Sequence, residues 1–127
     1  GKGRLIHEGT DAVVLSLGPV GNQVEQAISE LEQQGRSIAH YDMRFLKPID
    51  EEILHTVGTK FSHIVTIEDG AVKGGLGSSV LEYMADHNMH PHVTRLGLPD
   101  HFVEHGSVEE LQHLVGIDKE AIIKALS

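Results

Sequence analysis

The chain predicts an α/β layer fold built from strand–helix crossover units, and two features of its patterning carry that reading. Short β-branched runs alternate with amphipathic stretches from one end to the other, as they do where helices pack on a mostly parallel sheet. The run Ala12-Val13-Val14-Leu15-Ser16-Leu17 is apolar at almost every position, which suits a central strand covered on both faces. No repeat, linker or low-complexity tract interrupts the alternation, so all 127 residues (1–127) read as one domain.

Leu5-Ile6-His7 reads as a first strand, and the turn-rich tetrad Glu8-Gly9-Thr10-Asp11 is expected to fold it back antiparallel on the second. After Gly18-Pro19, Val24, Ala27, Ile28 and Leu31 fall at i, i+3, i+4 and i+7. That spacing makes one apolar helix face, with Glu25, Glu30 and Glu32 outside it and Gly35 as the stop. Ser37 to Tyr41 reads as a strand. In the stretch Asp42 to Asp50 that follows, Pro48 keeps the chain extended and Asp50 is placed to cap a helix carrying Ile53, Leu54 and Val57. Ile64-Val65-Thr66-Ile67 is the next core strand, ending at Glu68-Asp69-Gly70. The run Lys73-Gly74-Gly75-Leu76-Gly77-Ser78-Ser79 reads as a glycine loop, with a helix beginning at Val80, Leu81 and Met84. His92 to Leu96 is a further strand, broken by Gly97-Leu98-Pro99-Asp100. Ser107-Val108-Glu109-Glu110 has the form of a capping box, Gly116 ends that helix, and Asp118 caps a last one bearing Ile122, Ile123 and Leu126.

Composition narrows the functions. Nineteen acidic residues against 10 basic ones give a formal charge of −9, which repels a phosphate backbone, and no basic or aromatic-rich strip is present to stack bases, so no nucleic-acid partner is expected. The longest apolar stretch is a few residues against the ~20 a membrane span needs, so no membrane partner is expected either. With no cysteine there is no disulfide, thiolate zinc site or cysteine nucleophile. Gly1-Lys2-Gly3-Arg4 does not resemble a secretory leader, and a cytoplasmic location is expected.

The glycine loop ahead of a helix offers free amides to an anion, but lacks the spacing of a dinucleotide or P-loop fingerprint; close approach of another segment is the structural alternative. Arg44, Lys47 and Asp50 sit with Glu68 and Asp69 at inferred carboxyl ends of strands, where open α/β sheets place ligands. The simpler expectation is that Arg44 pairs with one of these carboxylates and fixes the loops. The 10 histidines include His87, His90 and His92 around Pro91, which read as a polar connection, so no metal site is expected. His101 and His105, beside Phe102 and Val103, fit an interface loop better than an acid–base pair.

Together these segments carry a resemblance. Gly1-Lys2-Gly3, Met43-Arg44-Phe45-Leu46-Lys47-Pro48-Ile49-Asp50, Glu68-Asp69-Gly70 with Gly74-Gly75-Leu76-Gly77-Ser78, Gly97-Leu98-Pro99-Asp100-His101-Phe102, and Gly116-Ile117-Asp118 resemble, in order, the C-terminal domain of the 1-deoxy-D-xylulose-5-phosphate synthase family. The resemblance implies a three-layer α/β/α domain with a five-stranded mixed sheet whose first strand is antiparallel. It implies a transferase that uses thiamine diphosphate and Mg²⁺ to join pyruvate to glyceraldehyde 3-phosphate with loss of CO₂, feeding isoprenoid, thiamine and pyridoxal synthesis. The family's Gly-Asp-Gly…Asn metal–diphosphate motif and its activating Glu do not occur in this chain. The resemblance therefore implies a fragment that binds no cofactor, has no catalytic or metal residue and is inactive alone. Its partners are then upstream thiamine-binding domains of the same polypeptide, in a homodimer, and its candidate interface residues are Arg44, Lys47, Glu68, Gly74, Gly75, Gly77, Asp100, Phe102 and His105. The rival readings are the equivalent domain of a transketolase or an oxoacid dehydrogenase β-subunit, and a free-standing small-anion-binding domain.

Overall fold

A computed structural model describes residues 2–68, 75–97 and 119–127. Its elements run β1 (Arg4–His7), β2 (Ala12–Leu17), α1 (Gly21–Gln33), β3 (Ile38–Asp42), α2 (Glu51–Lys60), β4 (His63–Glu68), α3 (Gly75–Asp86) and β5 (His92–Gly97), followed by a helix α4 at 119–126. The strands form one five-stranded sheet in the order β1-β3-β2-β4-β5. β1 is antiparallel to its neighbour and the other pairings are parallel.

The antiparallel first strand is present, but its partner is not the expected one. β1 pairs with β3, Arg4 opposite Asp42 and Leu5 opposite Tyr41, and β3 lies between β1 and β2. The tetrad Glu8 to Asp11 therefore crosses the start of β3 instead of closing a hairpin. Thr10 N and Asp11 N both donate to Ser37 O, at 3.2 and 2.7 Å, and Asp11 Oδ2 accepts from Ser37 N at 2.7 Å. The physical reason is the burial of β2: all six of its residues are buried, so it must be hydrogen-bonded on both edges by well-covered strands. The short, half-exposed β1 is fit only for the rim.

Helices cover both faces. On one, Val24, Ala27, Ile28 and Leu31 of α1, the positions the helical spacing marked, pack with Ala12, Val14, Ile38, Val65 and Ile67 and with Ile122 and Leu126 of α4. On the other, Leu54 and Val57 of α2 and Leu76, Val80 and Met84 of α3 pack with Val13, Leu15, Ala39 and Ile64. The result is the three-layer α/β/α arrangement. Asp50 caps α2 as expected, its Oδ1 accepting from Glu52 N and Ile53 N at 3.1 and 3.2 Å. Its Oδ2 takes Gly3 N at 2.9 Å, tying the entry to β1 to the start of α2.

The glycine run departs from expectation. Gly75 to Ser79 form the first turns of α3, not a loop. A Cβ on Gly77 would lie 2.6 Å from Arg95 Cδ and 3.3 Å from Thr66 Oγ1, so the glycine lets α3 settle against the sheet beneath the Arg95 stem. The expected capping box at Ser107 and the stop at Gly116 lie outside the described residues. Among those described, no helix is long and apolar enough to cross a membrane.

Candidate functional site

β2, β3, β4 and β5 end at Leu17, Asp42, Glu68 and Gly97, and these ends form the carboxyl edge of the sheet. Arg44, two residues past β3, has φ +62. That left-handed conformation costs a non-glycine residue about 1–2 kcal/mol and persists only where neighbours impose it. Met43, with 0% of its surface exposed, anchors the turn. Met43 N donates to Ser16 O at 2.8 Å and Phe45 N to Met43 O at 2.6 Å, while Arg44 N donates to Asp42 Oδ1 at 3.0 Å. The outcome is a presented side chain: Arg44, Phe45 and Lys47 are all exposed, with the guanidinium 5.7 Å from the centroid of the Phe45 ring.

Glu68 works inward. It is 4% exposed, and its Oε2 accepts from Leu76 N at 2.8 Å. A carboxylate thus sits at the positive end of α3, where the glycine run suggested an external anion. Of the three carboxylates expected to pair with Arg44, Glu68 and Asp50 are bonded elsewhere and Asp69 lies outside the described residues. β2 separates β3 from β4, which sets their ends about 10 Å apart at ~4.8 Å per strand. Glu68 and Asp50 are both engaged by backbone amides. Arg44, Lys47, Glu68, Gly75 and Gly77 therefore share the carboxyl edge, with Glu68 and Gly77 buried beneath it. Gly74, Asp69, Asp100, His101, Phe102 and His105 lie outside the described residues. His87 stacks on Tyr83 with ring centroids 3.9 Å apart. His92 opens β5 and tilts against His63 at 5.1 Å.

Sequence reasoning passed over a polar network on the α1 face. Ser16 and His40 are 1% and 2% exposed. His40 Nε2 lies 2.7 Å from Ser16 Oγ, and its Nδ1 lies 2.8 Å from Glu25 Oε2. His7, on β1, stands 4.0 Å from Glu25 and 2.6 Å from Glu32. A carboxylate only accepts, so neutral His40 carries its hydrogen on Nδ1 toward Glu25, and Ser16 Oγ donates to Nε2. Ser16, Glu25 and His40 come from three separate elements, and no local spacing joins them. The available signal was a polar residue on the covered face of each of two apolar strands.

Burial lowers the His40 pKa below the ordinary histidine value of 6.5, opposed by the Glu25 hydrogen bond and by the charges of Glu25 and Asp42. His63 is lowered too, by burial and then by His92 and Arg36. Below 6.5 the unfolded chain takes up protons that the folded chain refuses, so stability is full above that value and falls as pH drops through it. The denaturant midpoint of the chain is expected to be lower at about pH 5.5 than at about pH 7.5, with a smaller difference in His40→Leu. Equal pH dependence in the variant would assign the effect elsewhere.

The profile of the family described as "Transketolase, C-terminal domain" matches residues 1–122. The chain belongs to the transketolase C-terminal domain family. Within it, the chain is 57% identical over 127 residues to the 1-deoxy-D-xylulose-5-phosphate synthase of Phocaeicola vulgatus, covering 99% of this chain and 20% of that protein. It is 58% identical to the protein of the same name from Bacteroides thetaiotaomicron, with the same coverage. The transketolase C-terminal domain thus spans about 20% of the curated relatives it matches. Among solved structures, one described as "Split gene transketolase, inactive beta4 tetramer" superimposes with a TM-score of 0.81 at 30% identity, over 98% of this chain and 41% of the other.

The described part of this transketolase C-terminal domain does not fit thiamine diphosphate and Mg²⁺. At the start of α3, where a diphosphate could meet free amides, the Glu68 carboxylate already takes Leu76 N. Among the described residues, no group of three or more His, Asp or Glu side chains has the geometry to hold a metal ion.

Proposed function

We propose that the chain is the C-terminal domain of a 1-deoxy-D-xylulose-5-phosphate synthase, a cytoplasmic, homodimeric, thiamine diphosphate- and Mg²⁺-dependent transferase acting on pyruvate and glyceraldehyde 3-phosphate. The observation that carries the reading is 57% identity across 99% of this chain to a protein of that name. In the proposed enzyme, upstream domains of the same polypeptide hold the cofactor, and this domain contributes structure and a docking face. That face is the carboxyl edge, where Arg44, Phe45 and Lys47 project above a base locked by Met43, Glu68 and Gly77. The left-handed backbone at Arg44 supports the assignment, because strain of this kind gathers where a side chain is held out for binding. Gly74, Gly75, Asp100, Phe102 and His105 complete the proposed interface.

With pyruvate, glyceraldehyde 3-phosphate, thiamine diphosphate and Mg²⁺ supplied, the chain alone is expected to give no turnover. The product of the full reading frame is expected to make 1-deoxy-D-xylulose 5-phosphate. Turnover by the chain purified to a single band would overturn the reading, as would an upstream frame lacking the Gly-Asp-Gly…Asn motif.

A further inference from the structure

The groups around His40 join α1 to the turn that carries Arg44. Ser16 is the node. Its side chain meets His40, and its backbone carbonyl accepts from Met43 N, the residue before the left-handed Arg44. On the far side of the ring, Glu25 belongs to α1, and its side chain is 39% exposed, giving protons a route to the buried imidazole. The titratable groups facing the ring are Glu25 from α1, His7 from β1 and Asp42 from its own strand, while β2 offers the neutral Ser16.

We propose that His40 is a proton-operated tether between α1 and the Arg44 turn, whose hydrogen bond to Ser16 runs from hydroxyl to ring when the ring is neutral and from ring to hydroxyl when the ring is charged. With the ring neutral, it donates to Glu25 and accepts from Ser16, so the Ser16 hydroxyl hydrogen has one orientation. A proton arriving on Nε2 turns that nitrogen into a donor. The Ser16 hydroxyl must then turn its hydrogen aside and accept from Nε2, and that hydrogen loses its acceptor in a position 1% exposed to solvent. The cation itself is desolvated, and Glu25 and Asp42 compensate only in part. The strain falls on β2 at Ser16, and the hydrogen bond from Met43 N to Ser16 O is the contact through which the turn senses it.

The test is an amide and histidine-ring NMR titration of the chain from about pH 7.5 to about pH 5.5. The His40 ring and the amides of Met43, Arg44 and Phe45 are expected to move with one shared midpoint below 6.5. In Glu25→Gln, which removes the neighbouring anion, ring and turn are expected to shift together to lower pH. In His40→Gln the transition at Met43 to Phe45 is expected to vanish. Turn amides that stay still while the ring titrates would overturn the proposal, as would separate midpoints in Glu25→Gln. Movement that survives in His40→Gln would place the trigger at His7 or Asp42 and overturn it equally. If His40→Gln does not fold, the shared or separate midpoints of Glu25→Gln decide.

Discussion

Gly9→Ala is expected to cost the chain roughly 3 kcal/mol and to lower its melting temperature by about 10 °C. Gly9 is buried where the first connection passes over the start of β3. A Cβ there would lie 2.2 Å from Ile38 C, 2.4 Å from Ala39 N and 2.7 Å from Ile38 N. These are backbone atoms of a strand bonded to β1 on one side and β2 on the other, so no side chain can swing aside to make room. Relief requires lifting residues 8–11 and breaking the bonds of Thr10 and Asp11 to Ser37. Thermal unfolding of the two proteins checks it; a melting point within about 2 °C of the parent would mean that the crossing yields freely.

Glu68→Leu is expected to lose roughly 2 kcal/mol, through a buried amide at Leu76 left without an acceptor and the loss of negative charge at the start of α3. Glu68→Gln keeps an acceptor oxygen and should lose about half as much. Denaturant titration gives the totals, and hydrogen exchange locates them: faster exchange is expected at Leu76 and Gly77 before it appears in β4. Equal losses in the two variants would mean that charge at the helix end matters and the hydrogen bond does not. Wild-type stability in Glu68→Leu would remove the carboxylate's capping role altogether.

The parts of this fold that could be read along the chain are those fixed by neighbours in sequence. The four apolar positions of α1 are all buried, because a period near 3.6 leaves one face for the core. Asp50 caps α2 because the residues it serves follow within three positions. The misread parts depend on distant partners. Glycine is a poor helix former, so Gly75 and Gly77 argued for a loop. The start of α3 is stabilised by a carboxylate eight residues earlier, which no local pattern reveals. The β1 pairing is non-local for the same reason, since a turn-rich tetrad bends the chain without saying which strand receives it. At the carboxyl edge, the place of Arg44 and Lys47 was legible, and their exposure was not. The left-handed backbone at Arg44 was not, because it is imposed by Ser16, Asp42 and Met43 together.

The direction of β1 decides the side of the sheet from which the polypeptide enters. Because β1 is antiparallel, its first residue, Arg4, stands beside the last residue of β3, Asp42, and Gly3 is bonded to Asp50. Anything covalently joined ahead of Gly3 is therefore delivered onto the same rim as Arg44 and the start of α2. Had the four residues of β1 run parallel to the rest, the entry point would lie about 13 Å away at the opposite rim, at ~3.3 Å per residue. A connecting segment would then have to travel round the sheet to reach the carboxyl edge. One reversed strand acts as an address, setting down whatever precedes Gly3 beside the edge proposed to dock it.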